Sequence, residues 1–176
     1  MPSRVPALTP SPRSLFLVRH AIAAEHGEDW PNDAERPLTR KGIARMQDVA
    51  RGLGALGVEI QVVLTSPLLR ARQTAELLAA ELTPGPAVVV VSALEPGVAP
   101  TKVVDALGAH ATATGIALVG HEPGLGELAA WLVGARAPFP LKKGGVCRID
   151  LAGVPPANPG QLIWLATPRM LRGLAT

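Results

Sequence analysis

Short apolar runs that end in polar or charged residues alternate along this chain with stretches whose apolar positions recur every three or four residues. The first run is Leu15, Phe16, Leu17 and Val18, and it leads straight into Arg19 and His20. A run this short and this apolar predicts a strand buried on both faces of a parallel sheet. Further runs of the same kind follow at residues 60–64, 87–91 and 116–119. Between the first two, Ile43, Met46, Ala50 and Leu53 predict a helix capped by Thr39 and stopped by Gly54 and Gly57. A second helix is predicted from Ala71, Ala75, Leu78 and Leu82, with Ser66 as its N-cap and Pro67 at its first helical position. A third is expected over residues 101–110. A fourth follows Gly124, with Leu125, Leu128, Ala129 and Leu132 as its inner stripe and Trp131, like Trp164, in the core. Beyond Gly134 come two more strand-like runs, residues 146–151 and 162–165, expected to extend the sheet at one edge with at least one of them antiparallel.

Strands alternating with helices predict an α/β fold, a three-layer α/β/α sandwich around a mainly parallel sheet of about six strands. Right-handed crossovers then bring the carboxyl ends of the parallel strands to one edge, where ligands bind in open sheets. Arg19, His20, Arg70 and His121 each follow such an end. Residues about a hundred positions apart are therefore expected to share one pocket.

Composition narrows the choices. With 176 residues the chain is expected to form one domain, residues 15–176, behind a proline-rich leader, residues 1–14, that lacks the apolar centre of a secretory signal. A lone cysteine, Cys147, allows no internal disulfide and fits a reducing cytoplasm. Although 48% of residues are hydrophobic, no uncharged apolar run approaches the roughly 18 residues of a membrane span, so no membrane is expected among the partners. A net charge of +3 favours anionic partners. Nucleic acid is not the expected one, because the chain has no tyrosine and only 3% aromatic residues with which to stack bases. Arginine forks suit phosphate.

Two guanidinium groups and two imidazoles discriminate among chemistries. Neighbouring arginines would repel a dication, so no metal and no cofactor is expected. The nucleophile elbow of serine hydrolases is missing, and the glycines from Gly120 to Gly126 lack dinucleotide spacing. A phosphoryl dianion fits, held by the forks and by N–H groups at the helix starts after Pro67 and Pro123. One imidazole would attack phosphorus while the other donates to an oxygen, with no carboxylate needed at the centre. His20, abutting the first strand, is the better nucleophile candidate, though position alone barely separates it from His121.

Four motifs then become recognisable in order: LVRHA at residues 17–21, RPLTRKG at 36–42, TSPLLRARQTAE at 65–76 and VGHEPG at 119–124. Together they resemble the histidine phosphatase (phosphoglycerate-mutase-like) superfamily, and within it the short SixA-type phosphohistidine phosphatases. The resemblance implies a phosphohistidine intermediate on His20, a phosphate clamp of Arg19 and Arg70, a pocket completed by His121, and no metal. Glu122 is a further candidate for substrate binding, and stands where asparagine is frequent in the family; Ala21 replaces a common glycine. Glu95 is the candidate general acid, although it precedes Pro96 outside the motif of the larger members.

The expected activity is hydrolysis of phosphohistidine on a phosphorylated protein, as in the SixA-type enzymes that the chain resembles. The competing expectations are a small-molecule phosphomonoesterase, for sugar phosphate, nucleotide or polyphosphate, and a phosphate-binding module without turnover. Oligomeric state is left open.

Overall fold

The computed structural model describes residues 12–175. The strands β1 (Arg13–Arg19), β2 (Val62–Thr65), β3 (Ala87–Val90), β4 (Gly115–Gly120), β5 (Val146–Leu151) and β6 (Gln161–Ala166) form one sheet in the order β3-β2-β4-β1-β5-β6. Neighbouring strands from β3 to β1 are parallel, whereas β5 runs antiparallel to β1 and β6 antiparallel to β5. The four strands expected to be parallel are parallel, and the two later runs extend one edge. β1 starts earlier than expected. Ser14, assigned above to the leader, pairs with Gly115 on one side and Asp150 on the other; residues 1–11 of that leader lie outside the described residues.

Side chains alternate across a strand, and β1 uses both faces. Leu15 and Leu17 pack with Val103, Leu107, Leu128 and Leu132, which belong to α3 (Pro100–Leu107) and α4 (Gly124–Val133). Phe16 and Val18 face the other way. They pack with Met46, Leu53, Ala75 and Leu171 of α1 (Arg40–Ala55), α2 (Leu69–Glu81) and α5 (Pro168–Arg172). Burying both faces of the same strand makes the three-layer sandwich that the apolar runs predicted.

Three local expectations are corrected. Ser66 does not cap α2: the helix starts at Leu69 after an uncapped Leu68, and the Ser66 hydroxyl instead accepts from the Leu68 N–H across the bend at residues 67–68. Trp131 is 47% exposed, since six residues beyond Leu125 at about 100° per residue carry it off the stripe of α4. α3 ends at Leu107 and continues only as a 3-10 turn, Gly108–His110. The third strand exists, but as an edge, which is why Val88, Val89 and Val90 are exposed.

One glycine governs how the segment after His20 is held. A Cβ on Gly42, in the first turn of α1, would overlap the Ile22 carbonyl oxygen. That same carbonyl accepts hydrogen bonds from the Thr39 backbone N–H at 2.9 Å and the Thr39 hydroxyl at 3.2 Å, so it cannot swing aside freely. A Gly42→Ala variant is expected to lose about 1–3 kcal/mol of stability in urea unfolding and to turn over more slowly, because Ile22 lies two residues past His20.

Candidate active site

The carboxyl ends of β1, β2 and β4 bring the four expected residues, Arg19, His20, Arg70 and His121, into one region. His20 follows β1, and its backbone N–H donates to the Gly120 carbonyl at the end of β4 at 3.0 Å. His121 follows directly. The two rings lie 5.1 Å apart, centroid to centroid, tilted by 54°. Both residues are buried, as is Arg70 in the first turn of α2.

Hydrogen bonds set the state of each ring. His20 Nδ1 lies 2.8 Å from the Ala21 carbonyl oxygen, which can only accept, so Nδ1 carries the proton and Nε2 keeps its lone pair. His121 Nε2 lies 2.9 Å from Ser66 Oγ. That oxygen accepts from the Leu68 N–H at 3.3 Å, and among the described residues its own proton has no acceptor besides Nε2, which places the ring proton of His121 on Nδ1. Ser66, read from the sequence as a cap, is thus the residue that orients His121. Nothing in its local pattern distinguishes the two roles, since the partner lies 55 residues away.

The forks are held from behind. Arg19 Nη1 donates to the Leu141 carbonyl at 2.7 Å. Arg70 Nη1 and Nη2 reach the Asp33 carbonyl and carboxylate at 2.7 and 2.8 Å. A carboxylate therefore braces one fork from behind, away from the centre, where none was expected to be needed. The rim-loop acid Asp33 is itself bonded by Arg36 of the second motif. Thr74 joins the pieces: its hydroxyl donates to the Arg70 carbonyl at 2.7 Å and accepts from the Ala21 N–H at 3.0 Å. Spacing of four residues on a helix is the one sequence signal that could have exposed that link.

Among the described residues, three polar atoms in this region are buried without a protein partner: Arg19 Nε, Arg70 Nε and His121 Nδ1. A buried donor left unpaired costs about 1–3 kcal/mol, and these three atoms sit on three different elements.

The profile of the Histidine phosphatase superfamily (branch 1) matches residues 15–95. An uncharacterised protein of Picosynechococcus sp. is 39% identical over 168 residues, covering 89% of this chain and 98% of its own. The solved structure of the protein histidine phosphatase SixA complexed with tungstate superposes with a TM-score of 0.79 at 28% identity, covering 89% of this chain and 97% of that one. The chain belongs to the histidine phosphatase superfamily. Its SixA-type character also shows in a shorter match, 44% identity over 62 residues to the phosphohistidine phosphatase SixA of Escherichia coli K12, or 35% of this chain and 37% of that protein.

Electrostatics in this histidine phosphatase keep both rings neutral. Burial is the main cause that pushes His20 down to about 4, opposed by the Ala21 carbonyl and reinforced by Arg70, Arg19 and Lys143. His121 is pushed down to about 3, again by burial first, then by His20 and Arg70, with Asp33 opposing. Burial alone would raise the Asp33 carboxyl, but hydrogen bonds from Arg36 and Arg70 outweigh it and hold the group below the usual carboxylate range.

The folded values of both histidines lie below the unfolded 6.5, so the unfolded chain binds more protons as the pH falls. Their stabilising contribution is complete above pH 6.5 and is lost on acidification toward about 4 and 3, at up to about 1.4 kcal/mol per pH unit per ring. Urea unfolding in phosphate-free buffer between pH 7 and 5 is expected to show a steeper loss than in a His20→Gln, His121→Gln double variant. Equal slopes would contradict it.

The two acids named from the sequence have different places. Glu95 is exposed, beside the 3-10 turn Ser92–Leu94, and shares with His121 a cleft of about 320 Å³ of open space whose walls include Leu94, Val103 and Leu125. Glu122 is engaged elsewhere. Its carboxylate accepts from the Leu141 N–H at 3.1 Å, and burial raises it against that bond and the nearby charge of Arg19. Since Leu141 also receives Arg19, Glu122 lies one residue behind the clamp. Among the described residues no group of three or more His, Cys, Asp or Glu side chains is arranged to hold a metal ion, and no helix is long and apolar enough to cross a membrane.

Proposed function

We propose that this histidine phosphatase hydrolyses phosphohistidine on proteins, with His20 as nucleophile, Arg19, Arg70 and His121 as the phosphoryl cradle, and no metal. The observation that carries this reading is the set of buried unpaired atoms Arg19 Nε, Arg70 Nε and His121 Nδ1 around two neutral, facing imidazoles. The SixA structure contained tungstate, an oxyanion with the shape of phosphate, which supports the same use of the cradle here.

In the first step the lone pair on His20 Nε2 attacks phosphorus, and the bond from phosphorus to the substrate's ring nitrogen breaks. The leaving ring, protonated on its other nitrogen, departs as neutral imidazole. Water then attacks the phosphorus on His20, its protons leave to solvent and phosphate, and the free ring is restored. Arg19 and Arg70 balance the charge on the oxygens in both steps, and Nδ1–H of His121 donates to one of them.

The choice of phosphohistidine over esters rests on the leaving group and the rim. An imidazole leaves without a strong general acid, whereas an alcohol needs one. Glu95 is the proposed acid, but it is exposed and solvated. Only residues 96–99 separate it from α3, so no long insertion roofs the pocket, and a side chain displayed on another protein can enter. Glu122 acts as a brace on Arg19 through Leu141. Cys147, buried and pushed up to about 12 by that burial, stays a thiol in the cytoplasmic setting we assign to the enzyme.

A substrate panel tests the reading. Hydrolysis of a phosphohistidine protein and of phosphoramidate is expected to exceed that of sugar phosphates, nucleotides and polyphosphate, unchanged by a chelator. Faster turnover of the esters would make the enzyme a small-molecule phosphomonoesterase, and binding of phosphate without turnover of any substrate would leave a binding module.

A further inference from the structure

A second cleft opens at the same edge of the sheet as His20, on the opposite face from the Glu95 cleft. Its position follows from register: β5 opens with Val146 opposite Val18, and β6 closes with Ala166 opposite Val146. The turn before β5 and the start of α5 therefore lie beside the carboxyl end of β1. Ala21 and Ile22, the two residues after His20, form part of the cleft wall, and its open space is about 290 Å³.

Three cations from three elements converge on it: Arg45 of α1, Lys143 of the turn and Arg172 of α5. Among the described residues no carboxylate lines the cleft, and none of the three is in an ion pair. Arg172 spends only Nε, on the Pro168 carbonyl at 3.2 Å. Three like charges gathered against apolar walls repel one another unless an anion joins them. The spacing from the phosphoryl site is fixed as well. The Gly144 N–H, next to Lys143, donates to the carbonyls of both Arg19 and His20, at 3.1 and 3.2 Å.

We propose that this cleft is a specificity subsite for the carboxylate of an acidic side chain flanking the phosphohistidine of a protein substrate. Arg45 and Arg172 bind the carboxylate, Lys143 adds charge, and Ile22 and Met46 cover the methylene stem. The inference rests on the phosphohistidine reading above. The substrate would then span the sheet edge, with its phosphoryl group on His20, its leaving ring toward Glu95 and its acidic neighbour in this cleft.

The test uses the full chain, a set of phosphohistidine peptides carrying Glu at each nearby position in turn, the matching Gln peptides, and phosphoramidate. For at least one position the Glu peptide is expected to be turned over about tenfold faster in kcat/KM than its Gln match, the gap lying in KM. Arg45→Glu, and separately Arg172→Glu, should abolish that preference and leave phosphoramidate hydrolysis unchanged. Equal rates on Glu and Gln peptides, or variants that slow both alike, would overturn the subsite while the phosphatase reading stands. If nothing is hydrolysed, the phosphatase reading fails, and the subsite is judged by titrating the unphosphorylated Glu peptides. Binding to the native chain that Arg45→Glu removes supports it; no binding overturns it.

Discussion

Replacing His20 with alanine is expected to lower kcat on a phosphohistidine protein by on the order of 10⁴-fold or more, and to end the trapping of labelled phosphate on the enzyme in an acid quench. The expectation follows from Nε2. It is the one ring nitrogen of the facing pair that keeps a lone pair with no hydrogen-bond partner, because Nδ1 of the same ring is spent on the Ala21 carbonyl and Nε2 of His121 on Ser66. No other group in the cradle can form the covalent intermediate. Guanidinium groups are never deprotonated in proteins, and Ser66, although bonded to His121, is fully buried at 0% exposure, where a phosphorus atom cannot approach its hydroxyl. The fold should survive, since near pH 7 the ring is largely neutral in the folded and unfolded chain alike, and the bond from the residue 20 N–H to the Gly120 carbonyl does not need the ring. Retained turnover by the variant would displace His20 from its proposed role.

Loss of Arg70 is the second large effect. Arg70→Ala is expected to reduce kcat/KM by about 10²–10³-fold, the cost of deleting a charged donor aimed at developing negative charge in a water-poor site. Arg70→Lys should recover only part of it, because an ammonium keeps the charge but cannot hold the Asp33 carbonyl, the Asp33 carboxylate and a phosphoryl oxygen from one rigid plane. Stability should change less than activity. Asp33 is 43% exposed on its side chain, so water and Arg36 satisfy it once Arg70 is gone. Steady-state kinetics alongside urea unfolding separates the two effects. A large stability loss with little loss in kcat/KM would make Arg70 a structural residue.

Much of the architecture was legible because burial of both faces leaves an uninterrupted apolar run, and a helix on the sheet leaves a 3.6-residue stripe. Runs such as residues 15–18 and 116–119 have one physical explanation, and they proved to be the central strands. Stripes such as Leu125, Leu128, Ala129 and Leu132 proved to be core. Less was legible where two explanations share one residue pattern. Ser66 before Pro67 looks the same whether the hydroxyl caps a helix or turns toward a histidine 55 residues on. Acids in a polar rim loop look alike until one of them, Asp33, is seen on an arginine. The spacing of Arg45, Lys143 and Arg172 carries no periodic signal at all, because they meet only where α1, a turn and α5 come together.

By itself, the order of apolar and polar residues determined the strands, the stripes, the parallel sheet and the edge at which Arg19, His20, Arg70 and His121 would be found, because each rests on local periodicity and on the single handedness of crossover connections. Only the tertiary structure decided which nitrogen of each imidazole holds a proton, what braces each guanidinium group, and which cations share a cleft. Those properties depend on contacts between elements distant in the chain, at distances of about 3 Å, and no local pattern encodes such a distance.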